Sequence, residues 1–192
     1  MSSFWPVRLA QPDHRTCGPS VLVSLLMLES EDYRGRVLRG GQEAARARFA
    51  DEVWAAHRST NRAVDWHGRL QLPWARALGT GPWALARHLG GRARYVLLPR
   101  RRAVAYDLLV ASLGAGPTPV YVGNRWTPRH VVLAVAEEDG VVTCYEPASG
   151  RRTRFTREEW LGARLEGCGG WRVPWAVVTR SPVSRRGRRT PA

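Results

Sequence analysis

A cysteine stands where the first long apolar run of the chain begins. Residues 11–20 are Gln-Pro-Asp-His-Arg-Thr-Cys-Gly-Pro-Ser, and the apolar residues 21–28 follow directly, which predicts a helix with Cys17 at its N-terminal end. Free N–H groups and the positive end of the helix dipole favour the thiolate form of a cysteine at that position. A thiolate is a strong nucleophile, so the position of Cys17 indicates covalent chemistry.

Gln11 lies six residues before Cys17, in a stretch that contains no helical or strand pattern. A short loop between the two residues would let the Gln11 side-chain amide point at the group that Cys17 attacks. An N–H donor at that point stabilises the oxyanion that forms when a thiolate adds to a carbonyl group. The sequence therefore predicts that Cys17 attacks and Gln11 helps to bind the developing negative charge.

A histidine and a glutamate come much later in the chain, at the two ends of a predicted β-hairpin. Residues 131–135 and 141–145 are rich in valine, and Asp139-Gly140 between them is a typical hairpin turn. His130 opens the first strand and Glu146 closes the second. Antiparallel pairing brings these two ends together, so the Glu146 carboxylate can reach the imidazole ring. The hairpin supplies a base and an orienting acid for Cys17.

Gln11, the Cys-Gly-Pro-Ser helix start, His130 before a valine-rich strand and the segment Glu-Pro-Ala-Ser-Gly together resemble the C39-like branch of the papain-like cysteine peptidases. The resemblance extends from Gln11 to Trp160, and residues 79–83 are similar to the start of the second helical segment of that family. It implies a papain-like α+β fold and a peptide or related amide or thioester as substrate. The family usually has aspartate where Glu146 stands, and papain has asparagine.

Each of these residues also has a purely structural interpretation. A cysteine before an apolar helix is often a small buried apolar residue. Asp13, His14 and Cys17 could ligate a metal ion, but no second Cys/His pair stands at ligand spacing, so we expect neither a metal nor another cofactor. Cys144 in a predicted strand and Cys168 beside two glycines are expected to be inert. The order and spacing of the whole set support a cysteine-hydrolase site.

The chain has 192 residues, of which 30 are basic and 16 acidic, and its net charge is +14. All the basic residues are arginine, which we attribute mainly to the codon usage of a GC-rich genome; attraction to nucleic acid, anionic lipid or an acidic polypeptide is the alternative. No nucleic-acid-binding motif accompanies the charge, which disfavours a nucleic-acid partner. Arg125, Trp126 and Arg129 in the loop before His130 are the candidates for binding substrate, including an acidic one.

The remaining patterns predict an α-rich first half and a β-rich second half. Helices are predicted at residues 21–28, 42–57, 81–89, 103–113 and 156–161, the last from a capping box, and strands at residues 93–98, 119–122, 131–135, 141–145 and 171–178. Residues 59–72 are predicted as a loop. The length and the hydrophobic content of 44% fit one domain over residues 1–180, followed by an arginine-rich disordered tail at residues 181–192.

The start of the sequence lacks a basic segment followed by a long apolar one, so no secretory signal is predicted. No apolar run reaches the roughly 20 residues that span a bilayer. The chain has three cysteines, which cannot all pair, and we expect a cytoplasmic protein with free thiols, with export by a signal-less route left open. The sequence gives no indication of the oligomeric state.

These patterns predict an α+β, papain-like fold in which an N-terminal helical layer presents Cys17 and a C-terminal antiparallel sheet presents His130 and Glu146. The resemblance implies a hydrolase of peptide or related amide bonds that works through a thioacyl-enzyme. Two alternatives stay open. The acyl group could pass to an amine instead of water, which would make the protein an acyltransferase, or the chain could be a basic binding module with a degenerate site.

Overall fold

The computed structural model describes residues 3–60, 80–89, 94–97 and 102–179. The predicted tail at residues 181–192 and most of the predicted loop at residues 59–72 lie outside the described residues, while residues 59 and 60 belong to a helix. The elements of the described part are α1 (Cys17–Glu29), α2 (Glu31–Leu38), α3 (Gln42–Thr60), α4 (Pro82–His88), β1 (Arg94–Leu97), α5 (Arg102–Leu113), β2 (Thr118–Gly123), β3 (Pro128–Glu138), β4 (Val141–Glu146), β5 (Arg151–Thr156), α6 (Arg157–Gly162) and β6 (Val173–Thr179).

The strands form one antiparallel sheet in the order β1-β6-β2-β3-β4-β5. Helices pack on both of its faces, with α1 against one face of β3 and α5 against the other. Val131 and Leu133 of β3 therefore enter one core cluster, and Val132 and Ala134 enter the other, because neighbouring strand residues point to opposite faces. The predicted α+β architecture, with helices before an antiparallel sheet, is confirmed.

Helix α1 is the apolar centre of the N-terminal layer. It is buried on most of its surface because it lies between α3 and β3. Pro19 in its first turn fits a helix start, where its missing N–H breaks no helical hydrogen bond. Cys17 is its first residue, so the predicted placement of the cysteine at a helix N-terminus agrees with the structure. None of the described helices is both long and apolar enough to cross a membrane.

Two elements, α2 and β5, escape prediction from the sequence. Only Val37 of α2 is buried, so this helix lacks an apolar periodicity, and it begins through a cap in which Ser30 Oγ accepts the N–H of Tyr33 at 3.2 Å. In β5, Thr153 and Phe155 alternate with exposed arginines. Such a strand at the edge of a sheet is polar on its outer side, and its charges discourage pairing with other chains.

The N-terminal segment, residues 3–11, lies against the turn that follows β4. The Tyr145 hydroxyl donates to the carbonyl of Leu9 at 2.9 Å, and the N–H of Gln11 donates to the carbonyl of Pro147 at 2.7 Å. Gly150 makes the close approach possible: its φ is +65°, and a Cβ there would lie 2.6 Å from the Leu9 carbonyl oxygen. The segment that carries Gln11 is thus tied to the turn that follows Glu146.

Candidate active site

Cys17 lies at the start of α1 with 5% of its surface exposed. The preceding residue, Thr16, does not cap the helix with its side chain; its hydroxyl instead donates to the carbonyl of Asp13 at 3.0 Å. The N–H groups of the first turn are therefore left without a side-chain acceptor. Their partial positive charge would stabilise an oxyanion that forms beside the Cys17 sulfur.

His130 and Glu146 form a buried pair. His130 Nε2 lies 2.7 Å from Glu146 Oε1, and the two residues are 6% and 4% exposed. Leu133 pairs with Tyr145 across β3 and β4, so His130 and Glu146 stand diagonally beyond that pair and on the same face. The longer glutamate side chain spans this diagonal. The prediction that the hairpin brings the two side chains together therefore agrees with the geometry.

The Glu146 carboxylate is also held by its own turn. Its Oε1 accepts the N–H of Ala148 at 2.7 Å, and its Oε2 accepts the N–H of Ser149 at 2.8 Å. Burial raises the pKa of Glu146, but the hydrogen bonds from His130 and from the turn outweigh it and lower the pKa to about 2. The carboxylate is consequently charged and fixed in orientation at neutral pH.

The pKa of His130 is raised to about 9, because burial, which lowers it, is outweighed by hydrogen bonds and charge interactions with Cys17 and Glu146. Since Nε2 binds Glu146, the other ring nitrogen, Nδ1, is the one that can bind Cys17. The ring therefore stands between the Cys17 sulfur and the Glu146 carboxylate, with one nitrogen for each. At neutral pH it is an imidazolium that can stabilise a thiolate.

Cys17 and His130 line one cavity of 430 Å³. The wall from the N-terminal part holds Gln11 and His14, and the opposite wall comes from the β2–β3 loop and the start of β3, including Arg129. The other lining residues are Asn124, Pro128, Ala148, Gly169 and Trp171. Among the described residues, no group of three or more His, Cys, Asp or Glu side chains is placed to hold a metal ion.

The predicted site residues differ in how close they come to this cavity. Gln11, Cys17, Arg129 and His130 line it, and Glu146 stands behind His130. The other two predicted substrate-binding residues, Arg125 and Trp126, do not line it. The Arg125 guanidinium lies over the Trp126 ring at 4.5 Å, and the tryptophan is 71% exposed.

Gln11 is placed by its backbone, through the bond to Pro147. Its side-chain Oε1 is buried and has no hydrogen-bond partner in the described part of the chain. No contact of that oxygen therefore fixes which way the amide faces. An oxyanion that forms on a bound substrate would decide the orientation by attracting the amide N–H groups.

Gly169 is a part of the site that sequence reasoning misses. Its φ is +65°, and a Cβ on it would lie 3.0 Å from His130 Cδ2, 3.1 Å from His130 Nε2 and 3.5 Å from Glu146 Oε1. Residue 169 therefore lies so close to the His130–Glu146 pair that a side chain there would require the ring to move by a few tenths of an ångström, and its positive φ also favours glycine. The sequence hint is the Gly169-Gly170 pair, which by itself indicates no more than a turn.

Cys144 and Cys168 are fully buried and belong to the core cluster on the opposite face of the sheet from that of Cys17. Burial raises the pKa of Cys144 well above its usual range, and burial together with the charge of Glu146 raises the pKa of Cys168 to about 12. Both therefore stay as thiols at neutral pH. Neither lines the cavity that holds Cys17.

The chain matches no family model and no curated protein. Among solved structures it is similar to the peptidase domain of Streptococcus ComA, a bi-functional ABC transporter involved in a quorum sensing pathway, with 16% identity, coverage of 90% of this chain and 97% of that chain, and a TM-score of 0.43. It is also similar to the Pseudomonas avirulence protein AvrPphB, with 9% identity, coverage of 90% and 95%, and a TM-score of 0.45.

Proposed function

We propose that the protein is a cysteine-dependent hydrolase of peptide or related amide bonds. The observation that carries the proposal is the chain of contacts from Cys17 at a helix start, through His130, to the Glu146 carboxylate 2.7 Å from His130 Nε2. A nucleophile, a base and an orienting acid in this order are the parts that thioacyl chemistry requires.

In the first half of the reaction, the Cys17 thiolate adds to the substrate carbonyl carbon. The negative charge that moves to the carbonyl oxygen is bound by the N–H of Cys17 and by the Gln11 amide. The His130 imidazolium then gives its proton to the leaving amine, and the thioester between Cys17 and the acyl group remains. Glu146 keeps the ring oriented while its charge changes.

In the second half, a water molecule takes the place of the leaving amine. The neutral His130 ring accepts a proton from this water as its oxygen attacks the thioester carbonyl. The carboxylic acid product leaves, and Cys17 returns to the thiolate. The three cysteines are free thiols, and we propose that the enzyme works in a reducing compartment such as the cytoplasm.

A peptide mixture in water enriched in oxygen-18 tests the proposal, with Cys17→Ser as the control that keeps the fold and removes the nucleophile. We expect the wild type, and not the variant, to produce new peptide C-termini that carry the heavy oxygen. Products joined to an added amine would instead assign an acyltransferase. No product, together with a Cys17 that a cysteine-directed electrophile does not label, would leave a binding module.

A further inference from the structure

The cavity that holds Cys17 and His130 has basic walls. Arg129 and His130 line it, and none of the lining residues that the structure describes is an aspartate or a glutamate. Glu146, behind His130, binds that ring and its own turn. Asp13, which precedes the lining residue His14, accepts the N–H of Arg15 at 2.9 Å through its Oδ1 and does not line the cavity. An anionic group that enters the cavity therefore meets positive charge and no lining carboxylate.

Arg129 is the extra residue of a β-bulge. His130 pairs with Val122 and Pro128 pairs with Gly123, so Arg129 has no partner residue on β2. A bulge takes a side chain out of the regular alternation of a strand, and bulges are frequent beside active sites for that reason. Here the bulge lies directly before His130, and its side chain lines the same cavity as Cys17.

The guanidinium of Arg129 has no hydrogen-bond or ion-pair partner within residues 3–60, 80–89, 94–97 and 102–179. Arg125, in contrast, is stacked on Trp126 outside the cavity. Arg15 does not line the cavity, but its Nε donates to Nε2 of the lining residue His14 at 3.3 Å. Arginine presents a planar set of donors that matches a carboxylate, and it stays charged at any physiological pH.

We propose that the substrate carries a carboxylate next to the carbonyl group that Cys17 attacks, and that Arg129 binds this carboxylate. The inference rests on the proposed function, because it assumes that Cys17 is the nucleophile. The carboxylate can come from an aspartate or glutamate side chain or from the C-terminus of a peptide. In either case Arg129 determines specificity, and Arg125 does not take part.

Iodoacetate and iodoacetamide test the proposal without a known substrate, since they differ only in a carboxylate against an amide. In both reactions the Cys17 sulfur forms a bond to carbon and iodide leaves with its electron pair. The measured quantity is the alkylation rate of Cys17 with iodoacetate divided by its rate with iodoacetamide. A change in the reactivity of the thiolate affects both rates equally and therefore cancels in this ratio. We expect Arg129→Gln to lower the ratio of the iodoacetate rate to the iodoacetamide rate by about tenfold. This is the lower end of the range by which a charged cleft raises the capture rate of an oppositely charged ion. Arg129→Lys, which keeps a charge, should restore most of it.

Arg157→Gln is the matched control, because it removes the same charge at the opposite end of the β3–β4 hairpin, where the Arg157 N–H donates to the carbonyl of Gly140 at 3.2 Å. Its ratio should equal that of the wild type. An unchanged ratio in Arg129→Gln, or an equal loss in Arg157→Gln, would overturn the proposal. A Cys17 that reacts with neither reagent would instead overturn the proposed function, so the two failures are distinguishable.

A peptide mixture prepared with free C-termini and again with amidated C-termini separates the two sources of the carboxylate. Arg129-dependent cleavage that disappears on amidation assigns the C-terminal carboxylate. Arg129-dependent cleavage that persists beside aspartate or glutamate assigns an acidic side chain. Cleavage that is indifferent to both acidic residues and amidation contradicts the proposal.

Discussion

At the level of single residues, the length of the Glu146 side chain lets its carboxylate bind both His130 and the turn that follows β4. Glu146 accepts hydrogen bonds from His130 and from the N–H groups of Ala148 and Ser149. An aspartate at this position would be one methylene shorter and would have to give up either the ring or the turn. The glutamate is therefore suited to this hairpin, in which the base and the acid stand diagonally rather than directly opposite.

His130→Ala and Glu146→Gln should differ in severity. We expect His130→Ala to lower kcat/KM by at least the roughly 10² to 10⁴-fold that proton transfer contributes, because no other group replaces the ring. Glu146→Gln should leave measurable turnover, since the amide oxygen can still accept from Nε2 and orient the ring. Steady-state kinetics on a substrate identified by peptide mapping checks the order. Equal losses in the two variants, or full activity in His130→Ala, would contradict the assigned roles.

At the level of structural elements, the loop at residues 168–171 contributes to the site through its contact with His130 and Glu146. Gly169 and Gly170 both have positive φ, at +65° and +81°, but a Cβ on Gly169 would press on His130 while one on Gly170 would meet nothing within 4 Å. Both glycines thus have a backbone conformation with positive φ, but only a side chain at residue 169 would contact His130. We therefore expect Gly169 to act as a positioning residue for the His130–Glu146 pair.

Gly169→Ala should lower kcat strongly, by up to about a hundredfold if the ring moves by an ångström, and should shift the alkaline limb of the pH–rate profile to lower pH as His130 loses its contact with Glu146. Gly170→Ala is the control, because it carries the same backbone cost of roughly 1–2 kcal/mol without the contact. Rate profiles of the two variants against pH make the comparison. If both variants behave alike, the effect belongs to backbone strain and the positioning role is wrong.

The sequence predicts elements well where one pattern dominates. α1 and the β3–β4 hairpin are long apolar runs with a clear start or turn, and the capping box at Thr156 is present with both of its hydrogen bonds. α2 and β5 carry mostly polar residues, so their formation depends on a cap and on pairing with β4. Local patterns do not contain that information.

The same difference applies to the site. Cys17, His130 and Glu146 can be found because each stands at an end of a predictable element. Gly169 and the bulge at Arg129 could not be found in this way, since the first depends on a close approach between distant segments and the second on the pairing of β3 with β2. Prediction of these features requires tertiary contacts.

For the molecule as a whole, the buried pair links stability to pH. The pKa of His130 is raised from 6.5 to about 9, so the stabilisation from its protonation is complete below pH 6.5 and is lost as the pH rises through 9. The pKa of Glu146 is lowered from 4.5 to about 2, so its contribution is present above pH 4.5 and is lost as the pH falls through 2. Both contributions to the unfolding free energy are therefore complete between pH 4.5 and pH 6.5.

We therefore expect the unfolding free energy of the wild type, minus that of His130→Gln, to decrease between pH 6.5 and 9. The slope should be at most about 1.4 kcal/mol per pH unit, the value for one proton. Urea unfolding of both proteins, each carrying Cys17→Ser so that the thiol cannot exchange its proton with His130, gives the difference at several pH values in this window. A difference that stays constant across the window would show that the His130 pKa is not raised by folding.

The strand order also has a consequence for the order in which the site is completed during translation. β6 lies between β1 and β2, although it is the last described strand along the chain. Cys17 and His130, which meet in the fold, are 113 positions apart in the sequence. A ribosome adds about 5–20 residues per second, so roughly 6 to 23 seconds pass between the two residues. Throughout that time Cys17 lacks the histidine beside which it lies in the folded chain. On the proposed function, we therefore expect the nascent chain to gain hydrolase activity only after β3 has been made and has paired in the sheet.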